Sequence, residues 1–174
     1  MTEFFKSALA DKDYINIVSD IINNQEFQKL RQCVHHRGLS RFEHCIHVSY
    51  SCFKNKELFG YEYRKDMIRG ALLHDFFLYD YRKEKSLKKH LLHGFFHPGV
   101  SLKMSEEHFT LSGIEKDVIR KHMFPLTFFM PKYKATWCVV FYDKLWAVKE
   151  LFWSVIHKHS DSEEAKRVIE HAGT

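Results

Sequence analysis

Apolar residues recur along most of the chain at the three- and four-residue spacing of α-helices, and no stretch alternates apolar and polar residues as a strand does. The clearest periods predict four long helices, from Asp11 to about Cys33, Arg41 to Phe59, Tyr63 to His74, and Ala135 to His157. Shorter helices are predicted from Leu87 to His93, Pro98 to His108, Ser112 or Gly113 to His122, and Ser162 to His171. The chain is therefore predicted to be all-α, with essentially no sheet.

Helix boundaries are indicated by capping and breaking residues. Ser40 followed by Glu43 has the spacing of a capping box, which predicts a helix start at Arg41. Gly60 is a predicted stop for that helix. Pro98 is predicted to occupy the first turn of a helix, where its missing N–H costs nothing. The aromatic and charged stretch from Phe77 to Glu84 is predicted to be an irregular turn.

The composition fits one globular domain. In 174 residues, 45% are hydrophobic and 28% are charged, which argues against disorder. The formal net charge of +5 is spread along the chain, so it tolerates an anionic substrate but does not indicate a nucleic-acid surface. No apolar run is long enough for a membrane span, and the first residues do not read as a signal peptide. Four cysteines without a CxxC pair favour reduced thiols, and hence the cytoplasm.

The candidate chemistry begins with His74-Asp75, an imidazole and a carboxylate inside an apolar segment. Burying such a pair without partners is costly, and a metal ion would satisfy both groups at once. His44 precedes the pair on a predicted helix, and His47 could take the same role three residues later. Asp143 follows much later, alone in an aromatic helix segment.

The series His … His-Asp … Asp resembles that of the HD-type metal-dependent phosphohydrolases. The strings Arg41-Phe42-Glu43-His44, Leu72-Leu73-His74-Asp75-Phe76-Phe77-Leu78-Tyr79-Asp80, His97-Pro98 and Lys121-His122-Met123 are similar to those of a compact bacterial group of single-domain HD proteins. The resemblance covers about 41–149 and implies a single HD-type helical domain over 1–174. It favours His44 over His47.

The resemblance also implies a ligand set. One ion would be held by His44, His74, Asp75 and Asp143. Binuclear members insert two further histidines before the last aspartate, which here implies a second ion held by His97 and His122, with Asp75 bridging. His93 is the rival of His97. The metal is not specified by these residues, which accept Mn, Fe, Co, Ni, Zn or Mg.

Phosphoester hydrolysis is the activity that this resemblance implies, on a nucleotide or another small phosphorylated metabolite. The ions would acidify a water and relieve charge on the phosphoryl oxygens. Asp75 is counted as catalytic because it would bridge the ions. The candidates to assist the leaving group are Asp80, Arg82, Lys121 and Lys144.

The residues after the pair depart from several HD subgroups. Phe76-Phe77-Leu78 stands where many signalling phosphodiesterases carry an apolar residue, Gly and Lys, so cyclic-dinucleotide hydrolysis is not implied. The acidic residue of HD nucleotidases has its nearest counterpart in Asp80, which comes later than expected.

Two other functions fit the same residues. Some relatives of the fold hold two irons and oxidise organic substrates with oxygen. A non-enzymatic regulatory module, stabilised by metal, is the other alternative. Neither the specific substrate nor the oligomeric state can be read from the sequence.

Overall fold

The computed structural model describes residues 3–33, 39–55, 57, 64–79 and 87–152, of which 87–91 are described by their backbone alone. Within these residues the regular elements are helical and no β-strand occurs, which confirms the predicted all-α class. The helices, in chain order, are α1 (Glu3–Ala10), α2 (Lys12–Ile22), α3 (Gln25–Gln28), α4 (Arg41–Lys54), α5 (Arg64–Leu73), α6 (Leu87–His108), α7 (Gly113–Lys121) and α8, described over 134–152.

The N-terminal region is more broken than the sequence predicted. A single helix from Asp11 to about Cys33 was expected, but α2 ends before Asn23, and α3 begins after Asn24 and runs into a 3₁₀ turn. The Asn24 side chain accepts hydrogen bonds from the N–H groups of Glu26 and Phe27 at 2.9 and 3.1 Å. Short polar side chains compete for backbone donors in this way and start a new helix rather than continue the old one.

The capping box predicted at Ser40 starts α4, and the structure shows a second capping box at the start of α7. Ser40 Oγ accepts from the N–H of Glu43 at 3.2 Å, and Glu43 Oε2 accepts from the N–H of Ser40 at 3.1 Å. The same reciprocal pair joins Ser112 and Glu115 at the start of α7. These caps fix where α4 and α7 begin, and therefore which faces of the two helices are buried.

The prediction of two helices around Pro98 is wrong. A single helix, α6, runs through the proline from Leu87 to His108. Pro98 cannot donate to the carbonyl of Gly94, the bond expected four residues earlier in a regular helix. The helix continues past the missing bond because α6 packs against α7. A sequence rule about proline position does not take this packing into account.

Helices α4 and α5 form the centre of the fold. Both contribute to each of two buried apolar clusters, one shared with α1 and α2 and the other with α7 and α8. Apart from Glu43, every residue of α4 from Arg41 to Phe53 is buried. His44, His47 and Ser49 are therefore buried in the core, where their polar atoms need partners.

Two expectations fall outside the described residues. These are most of the turn from Phe77 to Glu84 and the C-terminal helix from Ser162 to His171. The predicted helix end at Phe59, with its stop at Gly60, is wrong, because α4 ends at Lys54, where the N–H of Asn55 bonds back to the carbonyls of Ser51 and Phe53. The described part of the turn, 77–79, is irregular as predicted, and α8 is helical as far as it is described. No helix in the described part of the chain has the length and apolar character of a membrane span.

Candidate metal centre

His44 is placed by the cap of α4. It lies one turn into the helix, has no exposed surface and points toward α8. Its Nε2 atom lies 3.2 Å from Asp143 Oδ1, and its Nδ1 atom lies 2.9 Å from Glu150 Oε1. An imidazole of α4 is therefore held between two carboxylates of α8.

His74 and Asp75 converge because α5 ends at Leu73, just before them. The chain leaves the helix in a turn closed by the N–H of Phe76 to the Leu73 carbonyl at 3.1 Å. On a continuing helix, adjacent side chains would point about 100° apart. Ending the helix allows both groups to face the same side, and both are buried.

A buried arginine braces this turn. The guanidinium of Arg41, at the start of α4, lies 3.6 Å above the Phe77 ring, and its Nη1 donates to the Phe77 carbonyl at 2.5 Å. Two contacts of this strength tie the start of α4 to the segment that follows Asp75. The relative positions of His44 and Asp75 are fixed accordingly.

His97 and His122 come from the next two helices. His97 lies in the middle of α6, and His122 is the residue directly after α7. Their Nε2 atoms are 2.8 Å apart, and both side chains are buried. Packing of α6 against α7 therefore brings together two imidazoles that are distant in sequence.

The six predicted ligands fall into two groups, and each group could hold a metal ion. Within each group, one candidate atom per residue lies within 4.8 Å of the others. Group one consists of His44, His74 and Asp143, and group two consists of Asp75, His97 and His122.

Asp75 belongs to group two and also faces group one. Its Oδ1 atom is 3.2 Å from His97 Nε2 and 3.6 Å from His122 Nε2, in group two. Its Oδ2 atom is 4.0 Å from His74 Nε2, in group one. A carboxylate with one oxygen toward each group has the position of a bridging ligand.

The protonated nitrogens of the four imidazoles face away from the centre. Three of the imidazoles donate their Nδ1–H to a backbone carbonyl three or four residues earlier. His74 donates to Ala71 at 2.7 Å, His97 donates to His93 at 3.1 Å, and His122 donates to Ile119 at 2.9 Å. The fourth imidazole donates to a carboxylate, as described above. Metal-binding histidines are held in this way, with the Nε2 lone pair left for the ion.

Two contacts in the centre would be relieved by a cation. In neutral imidazoles that donate through Nδ1, His97 and His122 would oppose their Nε2 lone pairs at 2.8 Å. His74 Nε2 is buried, and among the described residues no hydrogen-bond partner reaches it, although Asp143 Oδ1 lies 3.5 Å away. A positive ion among these atoms would relieve both defects, so the residues fit a metal.

The electrostatics of the centre favour the ligand forms of His122 and Asp143 but the protonated form of His44. Burial, together with two neighbouring imidazoles, lowers the pKa of His122 to about 3, so this side chain is neutral. Burial alone would raise the pKa of Asp143, but its bond to His44 and the nearby imidazole of His74 hold it well below the usual range. Burial likewise opposes the charged form of His44, yet the carboxylates of Glu150 and Asp143 raise its pKa to about 10. An ion arriving at His44 therefore displaces a proton.

The remaining site candidates are placed differently. Lys144 Nζ donates to the His122 carbonyl at 3.1 Å and lies 3.5 Å from Asp143 Oδ2. Lys121 Nζ instead pairs with Asp117 at 2.5 Å, away from the ligand atoms. The predicted roles of both lysines stay predictions, and Asp80 and Arg82 lie outside the described residues.

The two rival histidines lie beside the groups rather than in them. His93 stacks on His97 with ring centroids 4.7 Å apart, and its Nδ1 meets the Tyr79 hydroxyl at 2.8 Å. His47 stacks on Trp146 with centroids 4.3 Å apart.

Sequence reasoning missed Glu150 and the bracing role of Arg41. Glu150 is 4% exposed and follows Asp143 by seven residues, about two helical turns, so the two lie on the same face of α8. That spacing was the available signal.

Comparisons with protein-family models, with curated proteins and with solved structures found no match for this chain.

Proposed function

We propose that this protein is a metal-dependent phosphohydrolase that cleaves a phosphoester of a nucleotide or another small phosphorylated metabolite. One observation carries the proposal: the two ligand groups adjoin each other, with the carboxylate of Asp75 between them. A site that only stabilises the fold needs a single closed shell of ligands. Two adjoining groups that share a carboxylate are the arrangement used for phosphoester chemistry.

Divalent ions held here would lower the pKa of a bound water and neutralise charge on the phosphoryl oxygens. The side chains supply the rest. Three histidines, anchored to backbone carbonyls, present neutral nitrogens in fixed directions. Asp75 and Asp143 supply negative charge from two different helical regions. Water is excluded from most of the centre, because both carboxylates and all four imidazoles are buried.

Lys144 is the best-placed candidate to stabilise the leaving group. Its side chain is 43% exposed, so it borders solvent, yet its ammonium lies 3.5 Å from a ligand oxygen of Asp143. A cation at this border can offset charge on a departing alkoxide or donate a proton to it. Lys121 has no comparable contact among the described residues, since its ammonium is held by Asp117.

Membership of the HD superfamily is part of the same proposal. It is supported by the order of the ligands along the chain and by the helices that carry them. The resemblance implied that His44, His74, Asp75 and Asp143 serve one ion, and that His97 and His122 serve a second with Asp75 bridging. The two spatial groups divide the histidines and Asp143 in the same way, and Asp75 falls with His97 and His122.

The direct test is a phosphoester screen with the metal restored. Wild-type protein, loaded with Mn²⁺, is expected to hydrolyse an aryl phosphate or a nucleotide, and Asp75→Ala is expected to reduce turnover to background. Asp13→Ala, which removes an exposed carboxylate of α2, is the matched control and should retain full activity. Full metal occupancy with no turnover across a broad panel would contradict the proposal and favour a regulatory module. Oxygen consumption by a coloured, iron-loaded protein would favour oxidation chemistry instead.

A further inference from the structure

Glu150 is a buried carboxylate that the ligand groups do not include. It lies near the end of the described part of α8 and is 4% exposed. Its Oε1 atom lies 2.9 Å from His44 Nδ1 and 3.8 Å from His47 Nδ1. A buried carboxylate is costly unless it is paired, so its place beside two histidines of α4 calls for an explanation.

The surroundings of Glu150 hold it in place. His47 stacks on the Trp146 ring at 4.3 Å with an interplanar angle of 18°. The Trp146 indole in turn donates to Ser51 Oγ at 2.8 Å. These contacts join two turns of α4 to the later part of α8 as described. The Glu150 carboxylate therefore faces His44 from closely packed surroundings.

The bond to His44 differs from its counterparts in the centre. The other three imidazoles donate Nδ1–H to neutral backbone carbonyls, whereas His44 donates to a carboxylate. A charged acceptor makes the opposite nitrogen a stronger electron donor and fixes the ring orientation more firmly. Group one therefore contains one imidazole whose donor strength is set by a charge.

We propose that Glu150 is a positioning residue, which orients His44 and strengthens it as a ligand of group one. This inference rests on the proposed metal centre, but not on the reaction. Because Glu150 contacts His44, a residue of group one, its charge is expected to affect the binding of the group-one ion more than that of the other ion.

The test is a metal-binding cycle on the full chain, with Mn²⁺ as the probe and titration calorimetry as the readout. In a His97→Ala background, which weakens group two, adding Glu150→Gln is expected to weaken Mn²⁺ binding roughly 10- to 100-fold. In a His44→Ala background the same change should alter binding by less than about twofold, because the partner of Glu150 is already missing. Glu115→Gln is the matched control, since Glu115 is a buried carboxylate that accepts from Arg69 and from the N–H of Ser112, and neither of these is a candidate ligand.

Equal weakening in both backgrounds would overturn the proposal, because it would show a general loss of structure. No weakening in the His97→Ala background would also overturn it. If the glutamine variant does not fold, ¹⁵N-histidine spectra of the Zn²⁺-loaded wild type give a second test. The Nδ1 proton of His44 should lie downfield of those of His74, His97 and His122, and a position among them would count against the proposal. Failure of the phosphoester screen would leave this result intact, since the cycle measures binding alone.

Discussion

At the scale of single residues, the centre depends on which nitrogen of each imidazole carries the proton. Three backbone carbonyls and one carboxylate take the Nδ1 protons, so four Nε2 atoms face the interior. A histidine without such an anchor would rotate or change tautomer and would bind an ion more weakly. The anchors are local for His74, His97 and His122, lying three or four residues earlier on the same helical segment.

This locality explains how well single residues could be predicted. His74-Asp75 was recognisable because an ionisable pair interrupts an apolar run. His44 and Asp143 were chosen because the resemblance to HD-type proteins favours them. Glu150 was not recognised, because a glutamate near Lys149 looks like a solvated helix carboxylate, and only its seven-residue spacing from Asp143 indicated a shared buried face.

The two candidate lysines give a prediction at this scale. Lys144→Gln should lower kcat by about two orders of magnitude, while metal binding is retained, because it removes a cation beside the ligands but no ligand. Lys121→Gln should chiefly lower stability, since its ammonium pairs with Asp117. Steady-state kinetics with saturating Mn²⁺, together with urea denaturation, separate the two effects. Equal loss of kcat in both variants would show that the loss does not depend on the contact of Lys144 with Asp143.

At the scale of elements, helix ends place four of the six candidate ligands. Two of them follow the end of α5, one follows the end of α7, and one lies a turn inside the cap of α4. The caps at Ser40 and Ser112 could be predicted because their hydrogen bonds are local. Continuation of α6 through Pro98 could not, because it depends on packing against a helix later in the chain.

Close approach of α5 and α7 gives a second prediction. A Cβ added at Gly70 would lie 3.0 Å from Val118 Cβ and 3.3 Å from the Glu115 backbone. Gly70→Ala is therefore expected to destabilise the protein by about 1–3 kcal/mol, although alanine favours an exposed helix. Urea denaturation measures the change, and Ser19→Ala on α2 is a helix control without this contact. An increase in stability for Gly70→Ala would show that the two helices can separate without cost.

Asp117 anchors the loop between α7 and α8, and its protonation gives a third prediction. Its Oδ2 atom accepts from the N–H of Lys132 at 3.0 Å and from Thr136 Oγ1 at 2.6 Å, and Lys121 pairs with its Oδ1. Burial opposes its charge, but these three partners lower the pKa of Asp117 below the ordinary 3.8. A carboxyl group whose pKa is lower in the folded state stabilises the protein at pH values above its unfolded-state pKa. This stabilisation is lost as the pH falls through the folded-state pKa.

Asp117→Asn should therefore lower the free energy of unfolding by about 2 kcal/mol at pH 7. The difference from wild type should shrink as the pH falls below 3.8, where the wild-type carboxyl also loses its charge. Denaturation series at several pH values check this, with the exposed Asp13→Asn as control. A difference that grows on acidification would have the wrong sign for this account.

At the scale of the whole molecule, the centre joins helices that are far apart in sequence. The two groups draw on α4, α6, α8 and the residues after α5 and α7. The six candidate ligands could be predicted from the chain, whereas the distances between them and the position of Asp75 beside both groups depend on how these helices pack.

Metal binding should accordingly stabilise the whole fold. An ion that binds only the native state at a hundred times its Kd adds about 2.7 kcal/mol to the free energy of unfolding. Thermal unfolding with excess Mn²⁺ should thus give a higher Tm than with a chelator, and Asp75→Ala should abolish most of the difference. A Tm that does not respond to metal would mean that the groups do not act as ligands.

The central claim is that two adjoining ions are held by these side chains. The most direct measurement is anomalous diffraction from crystals grown with Mn²⁺. Two peaks are predicted, one bonded to His44, His74 and Asp143, the other to His97 and His122, with Asp75 between them. Well-ordered density for these six side chains, pointing to separate places with no anomalous peak among them, would contradict the account.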